Sequence, residues 1–268
     1  MIFWNIGDKR LNQVISFYQG KEVMKSDILV IGETCIDVFY YGNCDRLCPE
    51  APVPVFVPIN IVKTPGMAMN VQRNIQSLHG TCDIYTNPNW EEITKTRFIH
   101  HNTNQMFVRV DENDDTVKRC DVKNIDLQKY KVIVISDYCK GFLNENDIKY
   151  ISENHNCVFL DTKKKLGEWC IGVKYIKINY YEYNKSKDRI PEPIKDKLVV
   201  TLGSKGCCFK DKIYPVRKVD IKDVSGAGDT FMSGLVVEYL KTSDIESSIL
   251  YANQCATIAV QKKGVTVI

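Results

Sequence analysis

Residues 223–231 read DVSGAGDTF, a stretch that joins an anion-binding turn to a carboxylate. Gly226, Ala227 and Gly228 form a run of small residues that feeds directly into an apolar helical pattern. The free N–H groups and positive dipole end of a helix beginning there can hold a transferring phosphoryl group, and small side chains let it come close to the backbone. Asp229 then falls in the first helical turn, where it can accept the proton of an attacking hydroxyl, a role worth about 10²–10⁴ in rate. A helix-capping aspartate is the competing reading of the same residue. The full G-x-G-x-x-G dinucleotide fingerprint is missing, and the absence of G-x-x-x-x-G-K-[ST] disfavours a P-loop.

Such a turn needs a scaffold to hold it. Strand-like apolar runs at 28–32, 131–136, 157–161, 175–178 and 198–202 alternate with helical segments, which predicts a mostly parallel sheet covered by helices. Residues 35–62 and 94–110 have a different texture: alternating, proline-spaced apolar residues predict exposed strands that could form a small lid. Between them, Val71, Ile75 and Leu78 mark a helix starting after the Pro65-Gly66 break, with Asn70 in its first turn. Strong helical patterns cover 227–240 and 245–262, separated by the capping residues Thr242, Ser243 and Asp244, and a strand-like GVTVI ends the chain. Leu11, Val14, Ile15 and Tyr18 predict a further amphipathic helix within an N-terminal extension, residues 1–26. The whole chain of 268 residues is expected to form one domain.

The bulk properties exclude several classes. A formal charge of +3 from 36 basic and 33 acidic residues is too balanced for a nucleic-acid or membrane surface. No apolar run is long enough to cross a bilayer, and the charged N-terminal stretch lacks the core of a secretory signal, so a cytoplasmic protein is expected. The eleven cysteines lie scattered as single residues, for example Cys35, Cys82, Cys120, Cys157 and Cys255, and read as reduced thiols. Their spacings, with only four histidines, do not make a zinc site.

DVSGAGDT resembles the C-terminal signature of ribokinase-like (PfkB) sugar kinases, and further landmarks of that family occur in order. Ile31-Gly32-Glu33 followed by Asp37 resembles the first strand and a substrate-binding aspartate; Gly66 and Asn70 resemble the glycine-rich substrate loop. Asn179 and Glu182 match an N-x-x-E motif, Thr201 to Gly206 (with Gly203) resembles the strand and turn against the nucleotide, and Asn253 takes the place of a helix residue near the adenine. The resemblance implies a ribokinase-like α/β fold, ATP and Mg²⁺ as cofactors, a sugar or sugar-phosphate substrate, and a homodimer formed through the lid. It also implies that Asp229 is the base, with Glu182 reaching Mg²⁺ through water. On the physical side, Asp37 and Asn70 suit the gripping of hydroxyls, while Arg109 and Lys140 are candidates for a phosphate, either sugar-bound or in transfer. Each has a simpler alternative: a turn aspartate, a helix-start asparagine, surface cations. Asn179 and Glu182 could instead form a helix N-terminal turn among packing tyrosines 180, 181 and 183, and Lys163-Lys164-Lys165 reads first as a solvated face, with a phosphate role open for Lys163.

Within that family, residues 45–56, 93–111 and 136–143 resemble the kinases of D-glycero-D-manno-heptose 7-phosphate, which act at the anomeric oxygen. Those kinases are often fused to a nucleotidyltransferase, and this chain resembles the kinase half. Three features depart from the pattern: Gly66-Met67 replaces a glycine pair, which predicts an altered pocket, a strand–helix stretch between 81 and 94 is shortened, and Ser225 replaces a threonine. These keep two alternatives in view, a degenerate sugar-phosphate-binding protein and a nucleoside kinase.

Overall fold

The computed structural model describes residues 26–268, so the N-terminal helix expected over 11–18 lies outside the described residues. The chain opens with β1 (Ile28–Gly32), then β2 (Thr34–Asn43), β3 (Val57–Met67), α1 (Ala68–His79) and β4 (Asp83–Tyr85). A hairpin, β5 (Thr94–His100) and β6 (Met106–Glu112), precedes β7 (Val132–Asp137), α2 (Glu145–Glu153), β8 (Val158–Thr162) and β9 (Tyr175–Asn179). Two short helices, α3 (Tyr180–Ser186) and α4 (Glu192–Lys195), lead to β10 (Leu198–Thr201), β11 (Cys207–Phe209) and β12 (Lys212–Tyr214), and the chain closes with α5 (Ala227–Thr242) and α6 (Ile245–Ala259).

Eight strands form the main sheet in the order β12-β11-β10-β9-β8-β7-β1-β4. Pairing is parallel from β4 through β10 and antiparallel only in the last two ladders. β1, β7 and β8 are buried along their whole length, as a doubly covered sheet requires. The period-2 alternation of a strand sorts their side chains. Ile28, Val30, Val132 and Val134 join the core under α1, α5 and α6, whereas Leu29, Ile31, Ile133 and Ile135 join the core that contains Ile148, Ile151 and Ile194 of α2 and α4. The helix-covered sheet expected from sequence is therefore present. The β11–β12 turn is Lys210-Asp211, both at positive φ, the twist a two-residue hairpin loop needs.

The expected exposed strands make a separate four-stranded sheet, ordered β3-β2-β5-β6. Residues 57–63 of β3 and all of β6 are exposed. Two expectations change. Pro65-Gly66 is not a break: both residues remain paired to β2, opposite Ile36 and Cys35, and α1 begins right after the strand. GVTVI forms no strand; its end is instead tied to α1, with the Ile268 N–H donating to Asn74 Oδ1 and Ser77 Oγ donating to the Ile268 carbonyl. The α5–α6 junction follows the sequence reading, since Ser243 adopts a left-handed C-cap and Asp244 accepts from the Glu246 and Ser247 N–H groups.

Candidate active site

Asp229 is the third residue of α5 and is 5% exposed. Gly226 caps that helix at φ 77, a left-handed conformation that glycine adopts without strain. A Cβ there would lie 2.9 Å from Asn70 Nδ2, and one on Gly228 would lie 2.8 Å from Lys177 Nζ, so a side chain at either position would displace one of these groups. The Asp229 carboxylate accepts from Asn70 Nδ2 at 2.9 Å and from the Tyr138 hydroxyl at 2.6 Å. Burial, the dominant influence, raises its pKa; the two hydrogen bonds and Lys177 act in the opposite direction.

A cavity of about 640 Å³ opens on this turn. Gly226, Ala227, Gly228 and Asp229 line one part of it, and Asn179, Thr201, Gly203, Gly206 and Asn253 line another, so ten of the positions singled out from sequence converge there once Asn70 is counted through its bond to Asp229. Gly206 is indispensable to its turn: φ is 89, and a Cβ would meet the Tyr214 carbonyl at 2.0 Å. Asn253 is buried and donates to that same carbonyl at 3.0 Å. Two buried or half-buried cations face the cavity. Lys177 pairs with Asp161 at 2.6 Å, and Lys163 pairs with Glu182 at 2.6 Å while lying 5.4 Å from the centre of the Tyr138 ring. Burial acts to lower the Lys163 pKa, but Asp161 and Glu182 outweigh it and hold the value at about 12.

A glycine-capped helix start with a buried carboxylate in its first turn thus opens on a cavity, and the family model described as pfkB family carbohydrate kinase matches residues 83–268. The chain belongs to the pfkB family of carbohydrate kinases. It is 27% identical over 290 residues to the bifunctional protein HldE of Blochmanniella pennsylvanica, an alignment covering 90% of this chain and 61% of that protein. The chain thus spans about six tenths of the length of the curated relatives it matches. Among solved structures, ribokinase from Thermotoga maritima superposes with a TM-score of 0.68 at 16% identity, over 89% of this chain and 94% of that one. Arabidopsis thaliana ribokinase complexed with ribose and ATP gives 0.64 at 13% identity, over 90% and 94%. The fold is ribokinase-like.

In this pfkB family kinase the remaining sequence candidates are placed less simply. Asp37 is buried on β2 and bound by Arg97 Nη1 at 2.6 Å, a partner the sequence reading missed. Burial raises the Asp37 pKa and Arg97 counters it. A Cβ on Gly66 would sit 2.0 Å from Asp37 Oδ2, so glycine is what permits that carboxylate its position. Gly66→Ala is expected to cost about 1–3 kcal/mol of stability through overpacking, measured by urea unfolding. Asn179 and Glu182 form a reciprocal capping box: Asn179 Oδ1 accepts from the Glu182 N–H at 2.9 Å, and Glu182 Oε2 accepts from the Asn179 N–H at 2.8 Å. The pair thus starts a helix, with Asn179 also lining the cavity, and Tyr180 and Tyr181 are exposed rather than packed.

Arg109 and Lys140 do not present free cations. Arg109 is half exposed on β6 and pairs with Asp111 at 2.8 Å, while Lys140 pairs with Asp114 at 2.5 Å. The lysine run is not one solvated face, because Lys164 is largely buried against Asp137 at 2.6 Å and Lys163 holds Glu182. Met67, at the N-cap of α1, has φ 58, a strained setting worth about 1–3 kcal/mol. Its side chain is buried with Cys35 and Ile93, so it turns away into a small core against which Tyr138 packs. Tyr138, Asp161, Lys177, Arg97 and the cavity-lining Arg217 and Lys218 were not found from sequence. Lys177 does carry a signal in retrospect, being a charged residue inside a strand whose neighbours Ile176 and Ile178 are fully buried.

Proposed function

We propose that this kinase transfers the γ-phosphate of ATP to a hydroxyl of a phosphorylated sugar, with a heptose 7-phosphate-like substrate accepting at O1. The observation that carries the reading is a buried Asp229 in the first turn of α5, directly after the Gly226–Gly228 anion turn and at the wall of a cavity roomy enough for a nucleotide. ATP lies along Gly203, Gly206 and Asn253, its phosphates toward the α5 N-terminus, where the N–H groups and Lys177 offset developing charge. The bifunctional HldE relatives and the ATP complex of a ribokinase support this choice of donor and acceptor. Asp229 takes the proton of the acceptor hydroxyl, and Asn70 holds the carboxylate in place.

The donors fit a hydrated Mg²⁺ better than a caged one: Asp161 Oδ1 is buried without a hydrogen-bond partner beside the cavity and could hold the ion through water, whereas the two oxygens of Glu182 are engaged by Lys163 and the Asn179 N–H, so Glu182 would reach a hydrated ion only by giving up the Lys163 pair. When bound, Mg²⁺ supplies shielding of the phosphate charge. Ile59, Ile61, Val108 and Val110 leave the small sheet with exposed apolar surface, which supports a homodimer formed through it as a lid. Among the described residues no helix is long and apolar enough to cross a membrane, and a cytoplasmic location is part of the proposal.

An ADP-release screen across sugars, sugar phosphates and nucleosides tests the whole reading. The expected result is release with a sugar phosphate, with a doubly phosphorylated product seen by ³¹P NMR. Release with nucleosides alone would transfer the protein to the nucleoside kinases. Tight binding of a sugar phosphate with no ADP from any acceptor would make it a binding protein.

A further inference from the structure

We propose that Tyr138 is a positioning residue for the base: its hydroxyl fixes the Asp229 carboxylate, and the loop that carries it is held by Glu33. The inference rests on the kinase reading for its consequence in turnover, but not for its geometry. Tyr138 follows β7 and donates to Asp229 Oδ1 at 2.6 Å, opposite the Asn70 bond to Oδ2. The carboxylate is therefore gripped from two elements, α1 and the 138–140 loop. That loop is pinned from beneath. Glu33, fully buried, accepts the Tyr138 N–H at 2.8 Å with one oxygen and the Lys140 N–H at 2.9 Å with the other. Cys139 between them is held at φ 59, a conformation that persists only where its surroundings enforce it.

The ring is fixed independently of the hydroxyl. One side meets the core of Cys35, Met67 and Ile93, and the Lys163 ammonium lies 5.4 Å from its centre. Lys140, at the other end of the loop, pairs with Asp114, which also holds Lys95 of β5 at 2.7 Å. One short loop thus connects the base to the small sheet.

The groups facing Asp229 are Asn70 from α1, Tyr138, Lys177 from β9, Asp161 from β8 and Lys163 just after β8; burial and Asp161 raise the Asp229 pKa, while Asn70, Tyr138 and Lys177 lower it. Burial and the charge of Asp229 raise the Tyr138 pKa, so the phenol stays protonated and remains the donor. Removing that donor leaves Asp229 more readily protonated, because a hydrogen bond to the charged form favours it.

The test is Tyr138→Phe, which keeps the ring contacts and removes only the hydroxyl. Titration of the Asp229 carboxyl by ¹³C NMR, its resonance assigned with Asp229→Asn, needs no substrate. The expected midpoint rises by about one pH unit, as loss of one charge-assisted hydrogen bond implies. With the substrate from the screen, kcat falls about tenfold and the acid limb of kcat/KM moves to higher pH by the same amount. If Tyr138→Phe does not fold, 3-fluorotyrosine at 138, a stronger donor, is expected to move both midpoints to lower pH. An unmoved carboxyl midpoint in whichever variant folds overturns the proposal. An absence of any phosphoryl acceptor for the wild type overturns the kinase reading and leaves the NMR result to decide Tyr138.

Discussion

Replacing Asp229 with asparagine lowers kcat by about 10²–10⁴, the usual contribution of a general base, while ATP and sugar phosphate still bind. Asparagine keeps the shape of the group between Asn70 and Tyr138 but cannot accept the proton of the attacking hydroxyl. Steady-state ADP release together with calorimetric binding separates the two quantities; wild-type turnover in the variant would remove Asp229 from the chemistry. A pH effect accompanies this. Burial raises the Asp229 pKa, so in the wild type kcat/KM falls as pH drops through that raised value. The folding contribution has the opposite sense: with the folded pKa above the unfolded one, stability from this group is full below the unfolded value and is lost as pH rises through the folded one. Asp229→Asn is therefore expected to be slower in turnover and, at neutral pH, more resistant to urea than the wild type.

Lys177→Met is expected to destabilise the protein by about 3–5 kcal/mol, because it takes away the ammonium that pairs directly with the buried Asp161 carboxylate and leaves only the more distant Lys163. The pair is 2.6 Å long with side chains only 4% and 6% exposed, and Asp161 Oδ1 has no other hydrogen-bond partner. Urea unfolding of Lys177→Met, compared with the double variant Lys177→Met with Asp161→Asn, measures this. Recovery of most of the loss in the double variant is the expected result; a single-variant loss below about 1 kcal/mol, the value of an exposed pair, would show that the site is wet. The same substitution removes a cation next to Gly228, so residual phosphoryl transfer should fall even at temperatures where the variant remains folded.

The contrast between these two residues shows what could be read in advance. Asp229 announces itself by its neighbours in the chain, since a small-residue turn, a carboxylate and an apolar helix are contiguous. Lys177 acts through Asp161, sixteen positions away on the adjacent strand, and Tyr138 acts on Asp229 across 91 positions. Arg97 and Asp37 meet across 60. The ion pairs of Arg109 with Asp111 and of Lys140 with Asp114 likewise join groups whose pairing the sequence does not show. Met67, at φ 58, buries its side chain beside Cys35 and Ile93, a placement its neighbours in the chain do not specify.

The amino-acid sequence alone determined the alternating strands and helices, the doubly buried β1 and β7, the capped junction between α5 and α6, and the anion turn leading to Asp229. Each of these depends on short-range periodicity, on backbone sterics, or on hydrogen bonds within a few residues. Tertiary structure alone decided which charges are free and which are paired, where Asp229 finds its two donors, and which way Met67 points. Those outcomes depend on through-space distances between segments far apart in the chain, where a shift of one or two ångströms separates a ligand-ready cation from half of an ion pair.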